Sequence, residues 1–169
     1  MWVSSAEYGC DPAHGSGCTV ALQRRPNYGW PMTLELFSDR WAQQWCKGLN
    51  ASAEYRAAAA NWQGAVALVM TATDGEDPRG VYMDAAGGMC RVARVATEAD
   101  LAGAAYVFEA APAVWREVFS GRTAPVMALF SGKLRLTRGS LAALMPHAGA
   151  ARELIAAAAA VPVRFPGEE

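Results

Sequence analysis

The chain has 169 residues, 53% apolar and 18% charged, with a formal net charge of −1. That length suits one domain with a buried core; the charge balance offers no basic block for nucleic acid, and no apolar run approaches the roughly 18 residues of a membrane span. Much of the apolar content is alanine, in runs at 57–60 and 156–160, a residue that favours helix and buries little surface.

Residues 1–31 are rich in Gly, Pro, Ser and Asn and lack a sustained period, so they are expected to form an irregular arm. Either this arm lies upstream of a domain that starts at Met32 and does not need it, or Trp2, Tyr8 and Trp30 pack onto that domain. Cys10, His14 and Cys18 invite a metal reading, but zinc sites use tighter pairs and a fourth ligand, so no metal or other cofactor is expected. The domain is expected over 32–169.

From Met32 the pattern is periodic. Ser38 is a plausible N-cap, and Phe37, Trp41, Trp45 and Leu49 recur every four residues, which stacks them on one helix face. Gly48 and Asn50 mark the end, and a second short helix over 53–61 can be capped by Ser52. Trp41 and Trp45 either wall a cavity or seat the first helix, with seating the expected role. Cys46 and Cys90 are expected to act as small core residues.

Strands follow. Residues 64–73 are apolar on both faces, with Val66, Leu68, Met70 and Ala72 on one and Ala67, Val69 and Thr71 on the other, as in a central strand. A turn over 74–80, a strand at 81–84, a Gly87-Gly88 turn and a strand at 89–95 complete an antiparallel meander. Residues 97–100 read as an acidic connection and 104–110 as a fourth strand. Pro112 opens a helix carrying Val114, Trp115, Val118 and Phe119; Pro125 opens another with Val126, Met127, Leu129 and Phe130. A fifth strand at 133–137 and helices around 140–145 and 148–160 close the chain, before Pro162 and Pro166 break it up. The fold class is α+β, a five-stranded mixed sheet covered by helices.

Gly132-Lys133-Leu134-Arg135-Leu136-Thr137-Arg138-Gly139-Ser140, followed by an apolar helix, resembles the signature end of the sterol carrier protein type-two family. Trp115-Arg-Glu-Val-Phe-Ser-Gly-Arg-Thr-Ala-Pro125 resembles that family's aromatic, apolar, Gly, then Pro stretch, and the run from Pro125 to Leu136 its helix-to-strand junction. The likeness spans about 37–160 and is most specific over 112–145. Gly139-Ser140 departs from the Gly-Asp or Gly-Asn of many relatives, although Ser can still cap a helix. The resemblance implies non-enzymatic binding or transfer of a fatty acid, acyl-CoA or sterol-like lipid in an apolar tunnel between the sheet and the C-terminal helices.

Large apolar residues at helical spacing most simply make a core; on the resemblance, Leu68, Met70, Trp115, Phe119, Val126, Met127, Phe130, Leu141, Leu144 and Met145 are the expected lipid-binding residues. Arg91 and Arg94 lie on opposite faces of the third strand, where an exposed side chain is the default and anchoring of a lipid carboxylate the alternative. The sequence has neither a Gly-x-Ser-x-Gly elbow nor a phosphate-binding loop, and His147, beside Pro146, reads as a junction residue. An accessory or scaffold protein serving a partner enzyme is the first alternative function, and an enzyme on a hydrophobic substrate the second. Expected partners are a lipid or fatty-acyl ligand, with transient membrane contact and a homodimer left open and nucleic acid excluded. The missing signal peptide and the Pro-Gly-Glu-Glu ending, in place of a peroxisomal Ser-Lys-Leu, point to a bacterial cytoplasm.

Overall fold

The structure, a computed structural model, describes residues 33–73 and 77–165; the expected arm, with Cys10, His14 and Cys18, lies outside them, as does part of the turn at 74–80. Ser38 starts α1 (Asp39–Ala51), its Oγ accepting from the Trp41 backbone N–H at 3.3 Å. Ser52 caps α2 (Ala53–Ala58) in the same way, accepting from Tyr55 N–H at 3.0 Å. Both caps satisfy a backbone donor that the first helical turn leaves unpaired.

The main sheet runs β4-β3-β2-β5-β6, from β2 (Gln63–Met70), β3 (Arg79–Ala86), β4 (Met89–Val95), β5 (Tyr106–Ala110) and β6 (Arg135–Arg138). The first three form the antiparallel meander; β5 lies parallel to β2, and β6 is antiparallel to β5. This is the α+β mixed sheet that the pattern predicts, with the doubly apolar strand β2 at its centre. Val66, Leu68 and Met70 join the main core, while Ala65 and Ala67 join a smaller cluster with Val107 and Ala104 on the other face.

Leu101 packs on that smaller cluster from α3 (Glu98–Gly103), where the sequence suggests only an acidic connection. A capping box forms the helix: Thr97 Oγ1 accepts from Asp100 N–H while the Asp100 carboxylate accepts from Thr97 N–H. A second small sheet is also new, pairing β1 (Leu34–Glu35) in parallel with β7 (Val163–Arg164) beyond Pro162.

The remaining helices are α4 (Pro112–Phe119), α5 (Pro125–Phe130), α6 (Leu141–Leu144) and α7 (Ala148–Ala159), with a 3-10 turn at Met145–His147. Ser140 occupies the N-cap position of α6, but its side chain makes no capping bond. Gly139 is needed for close approach: at φ 98°, a Cβ there would sit 2.5 Å from the Tyr106 ring and 2.7 Å from the Ala105 carbonyl.

The edge strand β4 is closed by side chains of α1. Asn50 Oδ1 accepts from Cys90 N–H at 2.8 Å and its Nδ2 donates to the Cys90 carbonyl at 2.9 Å, as a neighbouring strand would. Asp39 accepts from Val95 N–H at 2.7 Å. Cys46 and Cys90 are not two separate core thiols as expected: they form a disulfide between α1 and β4, with Cα atoms 5.5 Å apart, because the helix lies directly over the strand.

Candidate functional site

Phe37 holds a left-handed backbone, φ 62°, unfavourable for a bulky residue. It is held there by edge-on contacts to Trp41 at 5.4 Å and Trp115 at 5.6 Å. Trp41, Trp45, Trp115 and Phe119 complete a closed aromatic cluster beneath α1 and α4. Trp45 Nε1 donates to the Leu154 carbonyl on α7 at 3.0 Å, and Trp115 Nε1 to the Val69 carbonyl on β2 at 3.0 Å. Trp41 and Trp45 therefore seat α1, the role expected of them.

Beside this cluster the same sheet face is hollow. A cavity of about 450 Å³ has Val66, Leu68 and Phe108 of the sheet as its floor and Trp115 as the wall it shares with the cluster. Pro125, Val126, Leu129 and Phe130 of α5 form one side, with Leu134 behind them; Leu141, Leu144 and Met145 form another. Trp62 closes one end, and α7 roofs the space with Ala148, Gly149, Ala151, Leu154 and Ile155. The cavity persists because these first three roof residues project little volume. Arg152 is the one charged residue of the lining; its side chain is largely exposed and paired with Glu153 at 3.1 Å.

The cavity brings together seven of the ten residues picked from the sequence: Leu68, Trp115, Val126, Phe130, Leu141, Leu144 and Met145. Three lie elsewhere. Phe119 belongs to the aromatic cluster, 5.6 Å from Trp115 and 6.1 Å from Trp41. Met70 is buried in the core at the far end of β2, and Met127 points to solvent. The residues that the sequence reading missed are mainly those of α7, whose small size concealed them, together with Trp62 and Phe108.

The arginines of β4 turn away from the cavity. Arg91 pairs with Asp84 at 2.9 Å; Arg94 pairs with Asp100 and lies over the Tyr82 ring at 5.3 Å. The Arg94 hydrogen bond, reinforced by those from Thr97, lowers the Asp100 pKa to about 2. His147 stacks edge-on against Trp62 at 5.1 Å. Among the described residues, no group of three or more His, Cys, Asp or Glu could hold a metal ion, and no helix is long and apolar enough to cross a membrane.

No protein-family model matches the chain, and no curated protein matches it significantly. Solved structures do. A crystal structure of sterol carrier protein 2 is 40% identical, with a TM-score of 0.69 over 75% of this chain and 99% of that one. The solution structure of a conserved hypothetical protein of Thermus thermophilus, a suggested sterol carrier protein, is 38% identical, with a TM-score of 0.69 over 80% of this chain and 95% of that one. The sterol carrier protein domain 2 of Helicoverpa armigera, 15% identical over 75% of this chain and 93% of that one, shares the fold with a TM-score of 0.52. The chain belongs to the sterol carrier protein 2 family.

Proposed function

We propose that this protein binds and carries a single lipid, a fatty acid, acyl-CoA or sterol-like molecule, reversibly and with no chemical step. The observation that carries the reading is the 450 Å³ cavity, lined by apolar side chains except for Arg152, in a chain 40% identical to a sterol carrier protein. Ligand sites have this character: apolar walls, with few polar groups to set orientation. Each methylene moved from water into the slot contributes about 0.8 kcal/mol, so an acyl chain needs few polar contacts to bind. An enzymatic reading needs a His, carboxylate or nucleophile in the cavity, and the lining residues include none.

The accessory reading draws support from one observation, the exposure of Val126, Met127 and Phe130 on α5. Native mass spectrometry of the purified full chain, followed by lipid extraction, decides between the two. A bound lipid mass at one-to-one stoichiometry supports the carrier. An empty protein that also ignores fluorescent fatty-acid and sterol probes supports the accessory role.

A bacterial cytoplasm remains the proposed location. There Cys46 and Cys90 would be held as a dithiol, since disulfides persist in oxidising compartments and are rare in cytosolic proteins.

A further inference from the structure

Cys46 of α1 and Cys90 of β4 are unequally placed: Cys46 is half-buried, whereas Cys90 is 4% exposed. Their meeting does not depend on the bond between their sulfurs. Asn50, one helical turn beyond Cys46, exchanges two hydrogen bonds with the Cys90 backbone, at 2.8 and 2.9 Å. Its Nδ2 also lies 4.0 Å from Cys46 Sγ, where it can donate to the sulfur as a thiolate. With the sulfurs apart, Asn50 would still hold the two residues side by side, so closing the bond again needs no refolding.

The same helix supports the cavity. Trp45, the residue before Cys46, donates to the Leu154 carbonyl of α7, and Leu154 is part of the lining. About 450 Å³ of empty apolar space runs against the close packing of protein interiors. An unsupported α7 would settle into that space. A ligand would then have to lift the helix again, and its apparent affinity would fall with the fraction of molecules that stand open. A covalent bond from α1 to β4 fixes the helix from which α7 is held.

We propose that Cys46 and Cys90 form a reversible thiol–disulfide site that sets the affinity of the cavity, with Cys46 the sulfur that first meets a low-molecular-weight disulfide such as glutathione disulfide. The Cys46 thiolate attacks one sulfur of that disulfide, its S–S bond breaks, and one small thiolate leaves. Cys90 gives up its proton and attacks the Cys46 sulfur of the mixed disulfide, releasing the second small thiolate. The two departing thiolates take up the two protons that the cysteines lost; the pair is oxidised by two electrons and the small disulfide is reduced by two. An excess of the small thiol runs both steps backwards. In the proposed cytoplasm the dithiol is the resting form, since disulfides there are transient, catalytic or redox-sensing. The proposal rests on the lipid-carrier reading for its effect on affinity, not for its chemistry.

Incubation of the full chain in glutathione buffers, from all reduced to all oxidised, tests it; alkylation and peptide mass spectrometry then read Cys46 and Cys90 apart from Cys10 and Cys18. The pair should open in the reduced buffer and close again in the oxidised one. Cys90→Ser should trap glutathione on Cys46, and Cys46→Ser should leave Cys90 unmodified. The oxidised wild type should bind a fluorescent fatty acid about threefold or more tighter than the reduced form, the scale of coupling carried through packed elements. Amide hydrogen exchange over 148–159 should be slower in the oxidised form even without a lipid. In folded Trp45→Phe protein, which lacks the bond to the Leu154 carbonyl, both differences should vanish. A bond that reduced glutathione leaves closed is a permanent staple and overturns the proposal, as does glutathione trapped on Cys90 in preference to Cys46. Wild-type forms equal in α7 exchange, or in affinity for a probe they do bind, overturn the control of the cavity. A protein that takes up no probe, yet slows its α7 exchange on oxidation, upholds the switch and sinks the carrier reading instead.

Discussion

Two regions lie side by side on the same face of the sheet and share Trp115, yet one is solid and the other hollow. Under α1, the rings of Phe37, Trp41, Trp45, Trp115 and Phe119 meet at centroid distances from 5.2 to 6.5 Å and fill the space between helix and strands. Under α7, Ala148, Gly149 and Ala151 stand over Val66, Leu68 and Phe108, and about 450 Å³ stays empty. The volume of the residues a covering helix turns inward decides whether its side of the sheet becomes core or pocket. A tightly packed neighbour also lets the pocket stay open, since it supplies the stability that the hollow side forgoes.

The contrast can be broken most severely on the solid side. Trp45→Ala should cost about 3–5 kcal/mol in a urea titration, through a cavity in a fully packed site and the lost bond to the Leu154 carbonyl. Leu144→Ala, which only enlarges a space already open, should cost about 2 kcal/mol, the low end for such truncations. Equal costs would mean that the hollow side is packed in solution.

Next in size is the Cys46–Cys90 link, which closes a 44-residue separation between α1 and β4. Replacing both cysteines by alanine should remove about 2–4 kcal/mol under oxidising conditions. Added reductant should lower the wild-type thermal midpoint and leave that of the double variant in place. A wild type indifferent to reductant would show that the two thiols are not joined.

Filling the hollow sharpens the comparison at smaller energetic cost. Ala151→Phe should lose most affinity for a fluorescent fatty acid while shifting stability by no more than about 1–3 kcal/mol, since it builds into existing space. A folded variant that takes up the probe as before would place the ligand elsewhere.

The smallest effect lies outside both regions, at Asp100. Its pKa is lowered to about 2, first by the Arg94 hydrogen bond and then by those of Thr97, so its ionised form is favoured in the folded state. Its contribution is complete above the unfolded-state value, 3.8, and is lost as pH falls from there towards about 2. Thermal midpoints over that window should fall less steeply for Asp100→Asn than for the wild type.

What the sequence disclosed divides along similar lines. The four-residue recurrence of Phe37, Trp41, Trp45 and Leu49 and the two apolar faces of β2 are strong local signals, and they specify α1 and the central strand. The capping box of α3 was written in Thr97 and Asp100 but hidden in what looked like a short acidic link. The β1–β7 pair depends on contacts across nearly the whole domain and the disulfide on residues 44 apart, and neither leaves a local trace. In α5 the spacing itself separates Met127 from the cavity: Val126, Leu129 and Phe130 share a face at i, i+3 and i+4, and Met127 stands one residue round the helix. Choosing it rested on side-chain size. Phe119 left the site because Phe37 and Trp41, distant in sequence, claim its ring.

The small parallel pair at the domain's ends has a bearing on how anything could enter the cavity. Leu34 N–H donates to the Pro162 carbonyl and Leu36 N–H to the Arg164 carbonyl, each at about 3 Å, which pins the chain just beyond α7. The Trp45 indole pins α7 again at Leu154. The roof is thus bolted at its middle and at its far end. On the other side of the cavity, Gly121 and Gly132, both at φ 72°, take the left-handed conformation that ends α4 and α5. The exposed residues of the lining, Val126, Phe130, Leu141 and Met145, lie on α5, on α6 and just after it, so the cavity opens on the side away from both bolts.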